Sequence, residues 1–156
     1  MPVNNIYLRK LKTEDANENY LSWFDEENKS IYIEYSKKKE INIDDLRNYI
    51  SIYNNKKSLL LGIFEKGTNI HIGNIKYDPI SIKNKYAVLG VFIGLKSFRG
   101  KGLFSKIFYE SKKILCENYN ICNICLKVSS KNKPAIRAYE KEKFISITNN
   151  CNNFFN

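Results

Sequence analysis

Residues 99–106 read RGKGLFSK, and this octapeptide is built to bind an anion. Gly100 and Gly102 flank Lys101, so the main chain can approach a ligand closely. An apolar-periodic helix opens directly after them, and its first N–H groups have no partner within the helix. A helix start of this kind, with Arg99 and Lys101 beside it, suits a phosphate-bearing cofactor. The segment is not a Walker loop, because the Gly-Lys-Ser/Thr ending is absent, and it lacks the Gly-x-Gly-x-x-Gly order of a dinucleotide fold. Other chemistry is thinly represented. Cys122 and Cys125 have Cys-x-x-Cys spacing without a second half, and His71 is the only histidine, so neither a metal site nor a catalytic triad is expected.

A second block lies downstream, where residues 132–144 read NKPAIRAYEKEKF. Together the two blocks resemble the GNAT acetyltransferase superfamily. The pattern Arg/Gln-x-x-Gly-x-Gly/Ala is met by Arg99, Gly100, Lys101 and Gly102, with Phe104 at the position usually held by glycine or alanine. The pattern Asn-x-x-Ala-x-x-x-Tyr-x-x-x-Gly-Phe is met at Asn132, Ala135, Tyr139 and Phe144, with Lys143 in place of the glycine. Residues 22–35 and 72–80 look like the branch that acetylates ribosomal-protein N-termini and nucleotide-linked amino sugars.

The resemblance implies acetyl-CoA as co-substrate, with no metal. Its phosphates would sit on the amides of Arg99, Gly100, Lys101, Gly102, Leu103, Phe104 and Ser105. Phe92, Ile93 and Gly94 match the splayed strand that holds the pantetheine arm and the reacting carbonyl, and Asn132 matches a cofactor contact. Tyr139 occupies the position of the general acid that protonates the departing thiolate. The family's strand glutamate is missing: Val88 lies near that position, and residues 86–94 contain no carboxylate. Glu34 and Asp78 are weak substitutes, and ordered water with backbone carbonyls is the other option. An aminosugar amine needs less help in losing its proton than a lysine does. The expected acceptor is therefore a small primary amine, best a nucleotide-linked amino sugar, with a protein N-terminus as the alternative. A non-catalytic acyl-CoA-binding module and a basic nucleic-acid binder are the rival classes.

The elements that must carry these residues follow from periodicity. Strands are expected over residues 6–11, 58–66, 70–80, 86–94, 123–130 and 144–148, with a possible edge strand at 151–156. The 86–94 strand should be central and buried on both faces. Asp78-Pro79 should end the strand before it. Helices are expected over 13–24, 41–53, 102–116 and 133–142; the first two have a capping or acidic start, the last tolerates an early proline, and the third follows from its apolar face. The resulting fold class is α/β (α+β), a GNAT-like domain with a mixed, mostly antiparallel central sheet splayed in the middle and about four flanking helices. At 156 residues one domain spanning 1–156 suffices, and it can bury roughly two-thirds of its unfolded surface.

The formal charge of +10 favours acidic partners without naming them. No apolar run approaches a membrane span, nothing resembles a signal peptide, and a cytoplasmic protein with reduced cysteines is expected. A homodimer is compatible with the sequence. Trp23, Phe24, Tyr32 and Tyr35 could line an acceptor pocket or pack in the core.

Overall fold

The computed structural model describes residues 5–24 and 40–147. Glu34, Tyr32, Tyr35 and the tail at 151–156 lie outside the described residues. Five strands form one sheet in the order β1-β2-β3-β4-β5: β1 (Ile6–Lys10), β2 (Leu59–Glu65), β3 (His71–Ser81), β4 (Tyr86–Ile93) and β5 (Asn123–Leu126). The first three pairings are antiparallel, and β4 and β5 run parallel. Four α-helices accompany them: α1 (Glu18–Leu21), α2 (Ile43–Ser51), α3 (Phe104–Tyr119) and α4 (Lys133–Lys141).

The sheet separates two apolar layers. On one face Ile107, Phe108 and Leu115 of α3 pack with Leu61, Ile63, Ile75, Ala87 and Leu89. On the other, Tyr20, Trp23, Leu46, Tyr49 and Ile50 pack with Leu60, Phe64 and Phe92. Because side chains alternate along a strand, one β4 serves both layers. Burial along it is uneven, however: Ala87, Leu89 and Phe92 are buried while Val88, Gly90 and Val91 are only half-buried, so the expectation of burial on both faces is met only in part.

The pairing of β4 with β5 runs from Tyr86↔Asn123 to Leu89↔Leu126 and stops, whereas β3 continues beside β4 as far as Gly73↔Ile93. This is the expected splay. Past Leu89 the far side of β4 faces no strand among the described residues.

Four boundaries differ from the sequence reading. Residues 13–24 are not one helix but a 3₁₀ turn at Thr13–Asp15, the short α1, and a second 3₁₀ turn at Ser22–Phe24. The reason is Asn17, whose extended backbone and side-chain acceptance of the Tyr20 N–H restart the helix there. Asp78-Pro79 does not end β3. It forms a cis peptide inside a register shift between Tyr77 and Ile80, after which pairing resumes at Ile80↔Ala87. β5 closes at Leu126 rather than continuing to 130. Residues 144–147 form no strand: Ile145 is 84% exposed, and Phe144 is drawn onto α4 instead.

Candidate active site

The site begins where β4 ends. The N–H groups of Gly94 and Leu95 both donate to the Ile72 carbonyl on β3, at 2.9 and 3.1 Å. Gly94 is required by a close approach: a Cβ there would lie 1.9 Å from Trp23 Cδ2, so the indole lies directly over the glycine. Trp23 is itself 1% exposed, which assigns it to the core under the site. The chain then passes through a 3₁₀ turn at Lys96–Phe98, and Arg99 folds back. Its Nε donates to the Ile93 carbonyl at 2.7 Å and its Nη2 to the Gly94 carbonyl at 2.9 Å. Arg99 therefore fixes the strand end to the loop, a role that its spacing did not disclose.

Strand alternation sorts the backbone groups of this stretch. Since the Gly94 N–H faces β3, those of Phe92 face β3 as well, and those of Val91 and Ile93 face the open side left by β5. Val91 is thus an open-edge position that the sequence reading missed, and only the pairing register reveals it.

Gly100 and Gly102 both have φ of +69°, and added Cβ atoms would meet nothing within 4 Å. Backbone conformation, not space, demands glycine at these two places. The turn they make delivers the chain to α3, whose N-cap residue, Leu103, offers no side-chain cap and whose first turn has no acid. The first N–H bonded at this end is that of Ile107, to the Leu103 carbonyl at 3.0 Å. The amides of Leu103, Phe104, Ser105 and Lys106 thus take no intrahelical bond, which leaves four donors at the positive end of a 16-residue helix. Lys101 Nζ rests 5.6 Å from the centre of the Phe98 ring, beside this opening. The Ser105 hydroxyl donates to the Glu142 carboxylate, so α3's start is tied to the end of α4. Glu142 is a further residue of this corner that the sequence left unmarked.

Tyr139 stands next to the same helix start. Its ring meets Phe104 edge-on at 4.9 Å, Phe104 stacks on Phe108 at 5.6 Å, and Phe144 closes the cluster 5.2 Å from Phe108. Phe104, the odd residue of the glycine pattern, therefore packs under α4. Burial pushes the Tyr139 phenol above its ordinary range, and its hydroxyl makes no hydrogen bond with the described residues. α4 ends with the Lys143 N–H on the Glu140 carbonyl and the Phe144 N–H on the Tyr139 carbonyl, with Lys143 at φ +69°. This is a Schellman closure carried by lysine where glycine is usual. Asn132 caps the other end of α4, accepting the Ala135 N–H at 3.2 Å, about two turns from Tyr139.

The remaining sequence candidates fall elsewhere. Asp78 is exposed at the β3 register shift, beside the end of β4 opposite the glycine turn. His71 is 4% exposed, ringed by Tyr20, Trp23 and Phe64, with Nε2 2.7 Å from Asn74 Oδ1. Asn74 gives its amide to Tyr20 Oη at 2.8 Å, so its oxygen faces His71 and the imidazole Nε2 is the donor. Burial lowers the His71 pKa to about 4, leaving it neutral and structural. Among the described residues no three His, Cys, Asp or Glu side chains cluster as a metal site, and no helix is long and apolar enough to cross a membrane.

The arrangement of splayed strand, glycine turn and uncapped helix can be compared with known proteins. A family model for the acetyltransferase (GNAT) domain matches residues 5–145. The chain belongs to the GNAT acetyltransferase family. Its GNAT fold recurs in solved structures. Spermidine N-acetyltransferase from Vibrio cholerae, in complex with CoA and spermine, superposes with a TM-score of 0.66 at 18% identity, covering 92% of this chain and 82% of that one. A probable acetyltransferase gives 0.74 at 18% identity, covering 93% and 82%. A possible acetyltransferase from Clostridium difficile 630 gives 0.65 at 20% identity, covering 93% of each chain. At these identities the likeness is one of fold. Among curated proteins none matches the sequence significantly.

Proposed function

We propose that this GNAT domain is an acetyl-CoA-dependent N-acetyltransferase that acts in the cytoplasm on the primary amine of a small acceptor, best a nucleotide-linked amino sugar. The observation that carries the reading is the uncapped start of α3, with bare amides behind two glycines at φ +69° and adjoining the open edge of β4. These groups fit a diphosphate: donors without partners, a helix terminus of the right sign, and Lys101 alongside. The amides of Gly100 to Lys106 would hold it, and the open-edge groups of Val91 together with the Ile93 N–H would hold the arm that carries the acyl group, the Ile93 carbonyl being taken by Arg99. Bound there, acetyl-CoA supplies the thioester carbon that the amine attacks.

The chain's own part is to position, desolvate and move a proton. Tyr139, protonated at neutral pH, donates from its hydroxyl to the departing sulfur. No carboxylate lies on β4, so proton removal from the amine falls to water and main-chain carbonyls, which suits an amine of low basicity.

Charge favours the anionic acceptor. The V. cholerae neighbour is named for spermidine, a polycation, whereas the net charge of +10 here repels polycations and attracts a nucleotide diphosphate. Calorimetry with coenzyme A, followed by thiol release from acetyl-CoA with a UDP-linked amino sugar, spermidine and a peptide N-terminus, tests the reading. Micromolar-range uptake and turnover with the sugar are expected. Absence of uptake removes the whole reading; turnover with the peptide or the polyamine alone removes the acceptor assignment; uptake without any turnover leaves a binding module.

A further inference from the structure

The cysteine spacing singled out in the sequence is Cys122-x-x-Cys125, but the fold pairs different residues. Cys116, near the end of α3, and Cys122, just before β5, have their sulfurs 3.5 Å apart. Between them the chain turns through Asn120, in the left-handed region at φ 53°, and the fully buried Ile121. Cys116 donates to the Ile121 carbonyl at 2.9 Å, which leaves Cys122 to donate across the sulfur–sulfur contact. Cys125 sits within β5 opposite Val88, its thiol 3.8 Å from the Ala87 carbonyl on the neighbouring strand. Both Cys116 and Cys122 are free thiols, the first half-buried and the second exposed.

We propose that Cys116 and Cys122 form a dithiol site that small disulfides oxidise, closing a reversible bridge between α3 and β5. Exposure makes Cys122 the sulfur that meets the reagent first. Burial and the contact with Cys122 hold the Cys116 thiol above its ordinary range, so the two sulfurs are not equivalent. The Cys122 thiolate attacks one sulfur of the small disulfide, forming a mixed disulfide and releasing the other sulfur as a thiolate. Cys116 then loses its proton, attacks the Cys122 sulfur, and expels the second thiolate. The protein gives up two protons and two electrons, and the reagent leaves as two thiols. The pair already faces itself across a short turn anchored at both ends by regular structure, so closure needs side-chain rotation more than backbone movement. The site lies about 18 Å along α3 from the phosphate loop. It therefore stands independently of the acetyltransferase reading.

The test uses the full reduced chain and oxidised glutathione, read by thiol titration, intact mass and peptide mapping. Two of the four thiols should disappear, with a mass loss of about 2 Da, a mapped Cys116–Cys122 link and full recovery on adding a dithiol reductant. Cys116→Ser should trap a single glutathione adduct on Cys122, and Cys125→Ser should oxidise like the parent. A mapped Cys122–Cys125 link, stable glutathione adducts on the parent chain, a linked dimer, or four surviving thiols would each overturn the proposal.

Discussion

At the residue scale, the proposed proton transfer depends on one phenol and the ring that packs against it. In the proposed mechanism Tyr139 acts as the proton donor, and burial holds its phenol above the ordinary range, so the hydroxyl stays protonated well past neutral pH. Tyr139→Phe is expected to lower kcat about 100-fold or more while leaving coenzyme A affinity unchanged, and to remove the alkaline limb of the kcat profile. Phe104 meets Tyr139 edge-on, and in that mechanism it would act through the phenol as a positioning residue. Phe104→Ala should therefore lower kcat at least about tenfold. In the double variant the two losses should not multiply, because the same contact is removed twice. Stopped assays of the two single variants and the double variant check this, and multiplicative losses would separate Phe104 from the phenol.

At the element scale, the start of α3 and the end of α4 are fastened to one another. Ser105 and Glu142 join the two ends, and the aromatic cluster fills the gap between them. The weak point is Lys143, a side-chain-bearing residue in the left-handed conformation that closes α4. A left-handed residue with a Cβ costs about 1 kcal/mol, which glycine avoids. Lys143→Gly should raise Tm by about 2–4 °C without changing the acceptor preference. Calorimetric melting gives the answer directly, and an unchanged or lower Tm would show that the lysine stem contributes packing that outweighs the strain.

At the scale of the whole molecule, stability is linked to pH through the core of the α1/α2 layer. His71 titrates near 4 when folded and near 6.5 when unfolded, chiefly because burial penalises the imidazolium. Between those two values the unfolded chain binds more protons, so stability falls as pH falls from 6.5 to 4. The expected loss is about 3 kcal/mol across that window, on top of any carboxylate contribution. Urea unfolding at steps from pH 7.5 to 4.5 measures it, and a flat profile would mean that the imidazole reaches water. Asp15 adds slope in the same direction. Burial raises its pKa, but the bidentate Arg9 pair, at 2.7 and 2.8 Å, and the Lys12 N–H outweigh that and hold it below the usual carboxylate range.

The sequence by itself determined the elements whose signals are local. Apolar periodicity placed α2, α3 and the cores of β2, β3 and β4. The two glycines around Lys101 and the proline-led start of α4 marked the loop and the helix, since turn chemistry acts over a few residues. It misplaced what depends on distant partners. The stretch at 144–147 has strand-forming residues but no neighbouring strand among the described residues, and Asp78-Pro79 reads as a stop only until β4 is seen to resume pairing beyond it. Only the tertiary structure decided that Gly94 exists for Trp23, 71 positions earlier, and that Arg99 grips the end of β4. It likewise decided that Phe104 supports Tyr139 and that Cys122 faces Cys116 instead of Cys125. The physical reason is the same in each case: periodicity and turn propensity are written in neighbouring residues, whereas a side chain's partner is set by which elements the packing of two apolar layers brings together.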